Sequence, residues 1–323
     1  MNEIRYDFLN DLYVVISPER AKRPHEIKEK ETENTDIKNC PFEYGNEDKT
    51  PPAVFTIEDG GKWKVRVIPN KYPILSSKEH LESLEDCLSI KMGGYGFHEV
   101  IIETPEHFKK PFQFQVCELK DVLTAYQERM KNLYRNKNIK YVHIFKNYKP
   151  EAGSSLSHPH SQLIALPFIP EKIQTQLNQL LKYREEKNIC FLCDEIKCEL
   201  DENKRVLFES KNFLVYCPFA SNFPFKIRII PKKHQHTFLS IDEDVKEELA
   251  QNLIKAFSLL NNYLHDPPFN LVLYSLASNK EEIYHWYMEI IPRITTLGGF
   301  EIGTQIYTNI VSPEDAVKLL KVT

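Results

Sequence analysis

The amino-acid sequence predicts an α+β protein in which two fused copies of one unit each form an antiparallel sheet with helices packed on it. Both halves carry the same order of parts: a turn with a cysteine, several short strands, a histidine shortly after a proline, a helix, a strand, and a strand that begins at a histidine. His107 and His158 are also as far apart as His234 and His285, 51 positions in each case (158 − 107 and 285 − 234). We expect the two copies to form one continuous sheet.

Short apolar runs bounded by turn residues predict the strands of the first half. These strands are residues 13–16, 64–68, 98–103 and 141–145, followed by a strand that starts at the mouth of a histidine-rich segment. Residues 118–137 are predicted to form an amphipathic helix, because Val122, Tyr126 and Met130 recur at helical spacing.

The second half repeats this pattern. Its strands are predicted at residues 206–209, 213–216, 227–230 and 269–274. Leu249, Leu253 and Phe257 lie on one stripe of a long helix. A helix over 171–186, with a polar face, is expected to lie on the surface and to join the halves. We therefore divide the chain into an N-terminal repeat, residues 1–175, and a C-terminal repeat, residues 176–323.

Composition narrows the class of partner. The chain has 323 residues, a net charge of −4 and a pI near 6.3, so it has no global attraction for nucleic acid or an anionic membrane. The start of the chain has no apolar core of a signal peptide, and no apolar run approaches the length of a membrane span, so we expect a cytoplasmic protein. Seven unevenly spaced cysteines favour reduced thiols, some of them metal ligands.

The segment 153–162, Gly-Ser-Ser-Leu-Ser-His-Pro-His-Ser-Gln, is the part of the sequence that points most directly to a chemical function. Side chains of an extended strand alternate, so His158, His160 and Gln162 are predicted to face one common volume. A neutral imidazole can attack phosphorus, and an amide N–H can stabilise phosphoryl oxygens. This row therefore favours phosphate chemistry; the alternative is a buried strand that carries two histidines.

Each copy also supplies four residues of the types that zinc prefers. The sets are Cys190, Cys193, His234 and His285 in the second half, and Cys40, Glu43, His107 and His158 in the first. Two thiolates and two imidazoles close a tetrahedron, so the second set predicts a structural zinc site. In the first set a carboxylate replaces one thiolate. The alternative for both sets is reduced thiols and hydrogen-bonded core histidines.

The two copies are predicted to differ in activity. If His158 is a metal ligand, His160 is left as the nucleophile, with its free nitrogen facing the pocket. In the second copy Tyr287 and Glu289 match His160 and Gln162. A phenol with an ordinary pKa near 10 is a poor nucleophile toward phosphorus beside a neutral imidazole. We expect one active and one structural copy.

The segment His158-Pro159-His160-Ser161-Gln162, with Cys40-Pro41-Phe42 and the basic turn at 17–24, resembles the galactose-1-phosphate uridylyltransferase family, a branch of the histidine-triad superfamily. The resemblance runs from about Tyr13 to Leu320. It implies two fused histidine-triad-like repeats, zinc, a homodimer and a ping-pong reaction. In that reaction His160 attacks the α-phosphorus of UDP-glucose, glucose 1-phosphate leaves, and galactose 1-phosphate takes up the uridylyl group.

The resemblance also implies roles for individual residues. Gln162 would donate a hydrogen bond to the transferred phosphoryl group. Residues implied near the nucleotide are Arg20, Arg23, Asn70, Asn147, Gly153 and Ser155. Phe300 and Glu301 match positions that contact the hexose, often from the partner subunit. For the basic turn itself, a solvated surface turn is the alternative. The implied partners are a nucleotide sugar and a hexose 1-phosphate, with no nucleic acid and no membrane.

Two departures from the family pattern leave other functions open. Glu43 stands where a second cysteine is expected, which affects zinc binding in the first half. Ser161 stands where the family often has glycine, which is expected to narrow the pocket; relatives with this change include phosphorylases that act on adenine nucleotides. One alternative is therefore an adenylyl-type phosphorylase that uses His160 on ADP-glucose or a dinucleoside polyphosphate. Another is a zinc-stabilised nucleotide-binding protein without turnover.

Overall fold

The computed structural model describes residues 2–22, 37–277 and 283–322, so the predicted nucleotide contact Arg23 lies outside the described residues. The strands in the described part are β1 Glu3–Asp7, β2 Leu12–Ile16, β3 Phe55–Asp59, β4 Lys62–Pro69, β5 Ser83–Asp86, β6 Ser89–Met92, β7 Phe97–Ile102, β8 Tyr141–Tyr148, β9 His160–Leu166, β10 Val206–Glu209, β11 Phe213–Tyr216, β12 Ile227–Pro231, β13 Phe269–Tyr274, β14 Tyr287–Pro292 and β15 Tyr307–Asn309. The helices are α1 Val116–Tyr134, α2 Glu171–Lys187, α3 Phe191–Glu202, α4 Glu243–Leu264, α5 Gly299–Thr304 and α6 Pro313–Lys321.

Ten strands form one antiparallel sheet in the order β10-β11-β12-β14-β13-β8-β9-β7-β4-β3. The order reads the same outward from the centre, because β8-β9-β7-β4-β3 of the first half corresponds to β13-β14-β12-β11-β10 of the second. The two halves join where β8 pairs with β13. The predicted α+β class and the single continuous sheet are confirmed.

One face of this sheet is covered by α1 and α4. Both helices are amphipathic: α1 buries Val122, Tyr126 and Met130, and α4 buries Leu249 and Leu253, each at helical spacing. These side chains belong to the largest apolar core, which continues across strands of both halves. Asp242 caps α4 by accepting a hydrogen bond from the Val245 N–H at 2.9 Å.

The opposite face is covered unequally. Over the second half, α2 packs its apolar stripe, with Ile173, Leu177 and Leu180 buried. Over the first half a smaller cluster centred on Phe42 and Trp63 covers the sheet. The histidine-rich segment lies on this face, where His158 and His160 are buried and Gln162 is partly exposed. The predicted division at residue 175 falls within α2 and stays a prediction.

Of the elements outside the repeat, only the strand at residues 13–16 was predicted, and it belongs to a separate sheet rather than to the first repeat. A second, three-stranded sheet pairs β2 with β1 and, in parallel, with β15. α3 follows Cys190 directly. Within the described ranges no helix combines the length and apolar character needed to cross a membrane.

Candidate functional site

His160 is the first residue of β9, and its ring is held in one tautomer. The residue is 6 % exposed, and the ring Nδ1 lies 2.8 Å from the carbonyl oxygen of His158. Because a carbonyl only accepts, Nδ1 carries the hydrogen and Nε2 keeps its lone pair. Burial lowers the pKa of His160 to about 4. A neutral imidazole with a free Nε2 is the state that a nucleophile toward phosphorus needs.

Gln162 follows His160 on the same face of β9. Its Oε1 lies 2.9 Å from Nε2 of His98, a buried residue of β7. His158 lies just before β9, not within it, so strand alternation applies only to His160 and Gln162. The ring of Phe42 contacts both histidines, with centroids 6.2 Å from His158 and 5.3 Å from His160.

Ser161 faces the other side of the sheet, so the expectation that it narrows the pocket is wrong. Its side chain is fully buried and hydrogen-bonds to Tyr126 and Glu103 on the helix face. Glu103 in turn pairs with Lys146 at 2.5 Å, and the Lys146 Nζ lies 3.4 Å from the carbonyl oxygen of His160. A polar network on the helix side of the sheet therefore contacts the strand that carries His160.

The first predicted metal set converges in space. Ligand atoms of Cys40, Glu43, His107 and His158 lie within 4.8 Å of one another. Glu43 Oε2 is 3.0 Å from Nδ1 of His107 and 3.6 Å from Nδ1 of His158. The His158 Nε2 lies 2.7 Å from the carbonyl oxygen of Thr104, so Nε2 carries the hydrogen and Nδ1 is an acceptor.

That leaves a buried acceptor without a donor. The His158 Nδ1 has no hydrogen-bond partner among the described residues, and it faces a carboxylate, which is also an acceptor. Burial lowers the pKa of His158, which disfavours a proton between them. A cation resolves this arrangement, so the residues fit a metal ion, and the Thr104 carbonyl fixes the orientation of the ring by accepting from its Nε2–H.

The second predicted set converges in the same way. Ligand atoms of Cys190, Cys193, His234 and His285 also lie within 4.8 Å of one another. The Cys193 sulfur is 3.3 Å from Nδ1 of His234 and 3.6 Å from Nδ1 of His285. Hydrogen bonding from the Cys193 thiol lowers the pKa of Cys190, which favours the thiolate that a metal binds.

The counterpart of the His160 region in the second half is closed. Tyr287, at the position of His160, is 1 % exposed, and its hydroxyl lies 3.0 Å from the Gln176 amide of α2. Glu289, at the position of Gln162, pairs at 2.9 Å with both Lys226 and Arg228. These side chains are all buried and are paired with one another or with α2.

Two of the predicted nucleotide-binding residues form a fixed group where the halves meet. Asn147 donates from Nδ2 to the Gly153 carbonyl at 3.2 Å and accepts at Oδ1 from Asn270 at 2.8 Å. Gly153 has φ +92°, and a Cβ there would lie 3.3 Å from Nδ2 of Asn147, so a larger residue is disfavoured. Ser155 is exposed. Asn70 lies at the exit of β4, with Nδ2 3.2 Å from Nε2 of His98.

The remaining predicted contacts lie near the three-stranded sheet. Arg20 is exposed. Burial would raise the pKa of Glu301, but local hydrogen bonds and the charge of Arg20 together lower it. Phe300 is 52 % exposed in α5. Within the described ranges no hydrogen bond, ion pair or ring contact joins Phe300 or Glu301 to His160 or Gln162.

His98 and Asn270 are the site residues that sequence reasoning missed. The sequence marks His98 only as the start of a predicted strand, and Asn270 only as part of one. Their importance comes from contacts with residues 64 and 123 positions away in the chain, His98 with Gln162 and Asn270 with Asn147. Alternation along β7 and β13 gives the side of each strand on which His98 and Asn270 lie. Placing them on the same face of the sheet as His160 also requires the order of the strands, which the sequence does not give.

Comparison with known proteins agrees with this fold and site. A model of the galactose-1-phosphate uridyl transferase N-terminal domain matches residues 1–170, and a model of a domain of unknown function, DUF4921, matches residues 113–321. The ADP-glucose phosphorylase of Arabidopsis thaliana is 36 % identical over 99 % of this chain and 92 % of its own. The galactose-1-phosphate uridylyltransferase of Thermotoga maritima is 27 % identical over 100 % of this chain and 99 % of its own.

The crystal structure of an ADP-glucose phosphorylase from Arabidopsis thaliana with bound ADP-glucose has a TM-score of 0.87 to this chain, at 33 % identity, and covers 100 % of this chain and 99 % of that one. The fold and site thus define an enzyme of hexose-1-phosphate nucleotidyl transfer. The chain belongs to the galactose-1-phosphate uridylyltransferase family.

Proposed function

We propose that this protein transfers the nucleotidyl group of a nucleotide sugar through a covalent intermediate on His160. The observation that supports this most is the ring's tautomer: Nδ1–H is bound to the His158 carbonyl, and Nε2 is left as the free nitrogen. Gln162, on the same face, supplies a carboxamide beside it. A nucleophile and a hydrogen-bond donor at one phosphorus are what nucleotidyl transfer requires.

The proposed reaction has two displacements. In the first, the His160 Nε2 lone pair forms a bond to the α-phosphorus, the bond to the bridging oxygen breaks, and the sugar 1-phosphate leaves with that electron pair. In the second, a phosphate oxygen of the acceptor attacks the same phosphorus and the N–P bond breaks. Gln162 stabilises the charge on the phosphoryl oxygens, and Asn70, Asn147, Gly153 and Ser155 bind the nucleotide.

As substrates we propose ADP-glucose and inorganic phosphate, which would give ADP and glucose 1-phosphate. This choice is supported by the 36 % identity to a protein named ADP-glucose phosphorylase over nearly the whole chain. The second candidate is exchange between UDP-glucose and galactose 1-phosphate, which the sequence favoured. It is supported by the family model over residues 1–170 and by the full-length similarity to a uridylyltransferase.

A substrate panel distinguishes these candidates. The protein is incubated with ADP-glucose or UDP-glucose labelled with 32P at the α-phosphorus, and the acid-labile adduct is counted; phosphate or galactose 1-phosphate is then added as acceptor. We expect an adduct from ADP-glucose that phosphate releases as labelled ADP. An adduct only from UDP-glucose, released only by galactose 1-phosphate, would establish the second candidate. No adduct from either would leave a nucleotide-binding protein without turnover.

We propose that both groups of metal ligands bind zinc with a supporting role. Cys190, Cys193, His234 and His285 would form a closed tetrahedral site, which leaves no position for substrate. Cys40, Glu43, His107 and His158 would hold the segment just before β9 and so keep the His158 carbonyl in place for His160. When bound, the ion supplies structural cross-linking; the chemistry stays with His160.

Loss of the second site is expected to lower stability more than activity. Cys193→Ala should reduce the zinc content by one equivalent per chain and lower the midpoint of urea unfolding, because metal-binding free energy contributes to folding. The matched control is Cys198→Ala, since Cys198 is an exposed thiol of the same helix α3. Zinc content is measured by atomic emission. Unchanged zinc in the Cys193 variant would contradict the assignment.

We further propose that the halves divide the work, with 1–175 catalytic and 176–323 structural, and that two chains associate. The closed surroundings of Tyr287 and Glu289 support the first proposal.

The association of two chains is proposed from Phe300 and Glu301 in α5. In the described part of their own chain they make no contact to His160 or Gln162, so we propose that they reach the hexose in the site of a second copy. Mixing His160→Ala chains with Phe300→Ala chains should then restore activity in part of the dimers.

A further inference from the structure

His98 connects three parts of the site. It is 8 % exposed in β7. Its Nδ1 lies 3.3 Å from the backbone N–H of Ile74, in the loop after β4. Its Nε2 lies 2.9 Å from Oε1 of Gln162 and 3.2 Å from Nδ2 of Asn70. No role for His98 follows from the two displacements described above.

The Ile74 contact fixes the polarity of the ring. A backbone N–H can only donate, so Nδ1 of His98 must accept and Nε2 must carry the hydrogen. Burial lowers the pKa of His98, which keeps the ring neutral and limits it to one donor. The Asn70 carboxamide does not supply a competing acceptor, because its Oδ1 already accepts from the Tyr72 N–H at 2.8 Å.

This polarity determines which end of Gln162 faces a ligand. The Nε2–H of His98 needs an acceptor, and the Gln162 Oε1 at 2.9 Å is that acceptor. With its oxygen bound to His98, the Gln162 carboxamide has its NH2 group left to donate. An NH2 group stabilises a negatively charged phosphoryl oxygen, whereas the carboxamide oxygen would repel it.

The second half of the sheet has a contact at the equivalent place. Gln162 pairs across the sheet with Val100, and Glu289 pairs with Arg228. His98 and Lys226 each lie two residues before that pairing partner, and Lys226 Nζ contacts Glu289 Oε2 at 2.9 Å. In both copies, therefore, a donor at this position binds an oxygen of the side chain at the Gln162 or Glu289 position.

We propose that His98 is a positioning residue that orients the Gln162 carboxamide, with its NH2 group toward the transferred phosphoryl group. The inference rests on the proposed function, in which Gln162 donates to that group. Without the donor at Nε2 the carboxamide is free to turn over, and the orientation with oxygen toward the phosphate becomes populated.

The test compares His98→Phe, His98→Gln, Gln162→Ala and the double variant His98→Phe/Gln162→Ala. Single-turnover formation of the adduct on His160 is followed in full-length protein with labelled ADP-glucose and, in parallel, labelled UDP-glucose. Gln162→Ala should slow adduct formation about 100-fold, the cost of one donor to a developing oxyanion. His98→Phe should slow it about 10- to 100-fold, as loss of an orienting partner does. The half-saturating nucleotide concentration should change less than about threefold, because the lost interaction belongs to the transition state.

Two comparisons separate orientation from general damage. The double variant should be no slower than Gln162→Ala alone, because His98 acts through Gln162. His98→Gln, whose amide N–H can reach the place of Nε2, should keep most of the rate. His98→Asn, whose amide ends near the place of Nδ1, should lose the rate as His98→Phe does. If His98→Phe does not fold, the comparison of His98→Gln with His98→Asn takes its place. His80→Phe, at an exposed histidine, is the control for the substitution.

An unchanged rate in His98→Phe, or losses that multiply in the double variant, would overturn the inference. So would a His98→Gln variant as slow as His98→Asn. Failure of the proposed function looks different, because the wild-type protein would then form no adduct with either nucleotide sugar.

Discussion

Replacing the imidazole of His160 should abolish nucleotidyl transfer. We expect His160→Ala to form no acid-labile adduct and to lose turnover by about 10⁴-fold or more, since removal of a covalent nucleophile has effects of this size. The substitution removes a ring whose Nε2 lone pair is free and whose Nδ1–H is bound to the His158 carbonyl. Adduct formation is measured by 32P retention after denaturation, and turnover by release of glucose 1-phosphate.

The control for this prediction is His80→Ala, because His80 is an exposed histidine on the loop that precedes β5. It should retain wild-type adduct formation. The urea midpoint of His160→Ala should fall, because the substitution removes a buried ring and its hydrogen bond to the His158 carbonyl, so adduct formation is measured where the variant is still folded. A labelled adduct in His160→Ala equal to the wild type would place the nucleophile elsewhere.

The second large effect is expected on stability, from Glu289. Its carboxylate is 1 % exposed and neutralises Lys226 and Arg228, which are 3 % and 2 % exposed. Glu289→Ala leaves the buried Lys226 without an anion and leaves Arg228 with Glu195 alone, which should lower the free energy of unfolding by about 3–5 kcal/mol. Urea denaturation followed by circular dichroism measures the change. The His160 adduct should still form under native conditions, because the proposed function places the chemistry in the first copy.

Glu209→Ala is the matched control. Glu209 makes an ion pair with Lys232 at 3.1 Å, but its side chain is 56 % exposed, and surface pairs contribute about 0–1 kcal/mol. Adding Lys226→Met to Glu289→Ala should recover part of the loss by removing one unpaired charge. If Glu289→Ala costs no more than Glu209→Ala, the buried charges are not interdependent.

The effect of Glu289 should also depend on pH. Burial alone would raise the pKa of its carboxyl group, but Lys226 and Arg228 outweigh burial and hold the pKa at about 2. The ordinary value for Glu is about 4.3. Since the folded pKa is depressed, the contribution to stability is complete above about pH 4.5 and is lost as the pH falls toward 2. The difference in urea midpoint between wild type and Glu289→Ala should shrink over that range.

Much of the site could be predicted because its information is local. The strand after His158, the helices α1 and α4 and the two sets of metal ligands follow from alternation, helical spacing and the repeated 51-residue interval. Such patterns depend on side-chain periodicity within one element, or on equal spacing between two copies of it. The same alternation already implied that Ser161 faces the helices, so the expectation that it narrows the pocket contradicted the strand it belonged to.

By itself the sequence determined that the chain is a duplicated α+β unit, that each copy carries four residues of the types that bind metals, and that a histidine stands at the position of His160 in only one copy. Only the tertiary structure decided which nitrogen of His160 is free, how His98 orients Gln162, and that Gln176 and the Glu289 ion pairs close the second copy. The physical reason is that these are contacts between side chains on different elements. Their hydrogen-bond polarity and burial depend on the order of strands in the sheet and on α2 covering one half, and neither is encoded in any local pattern.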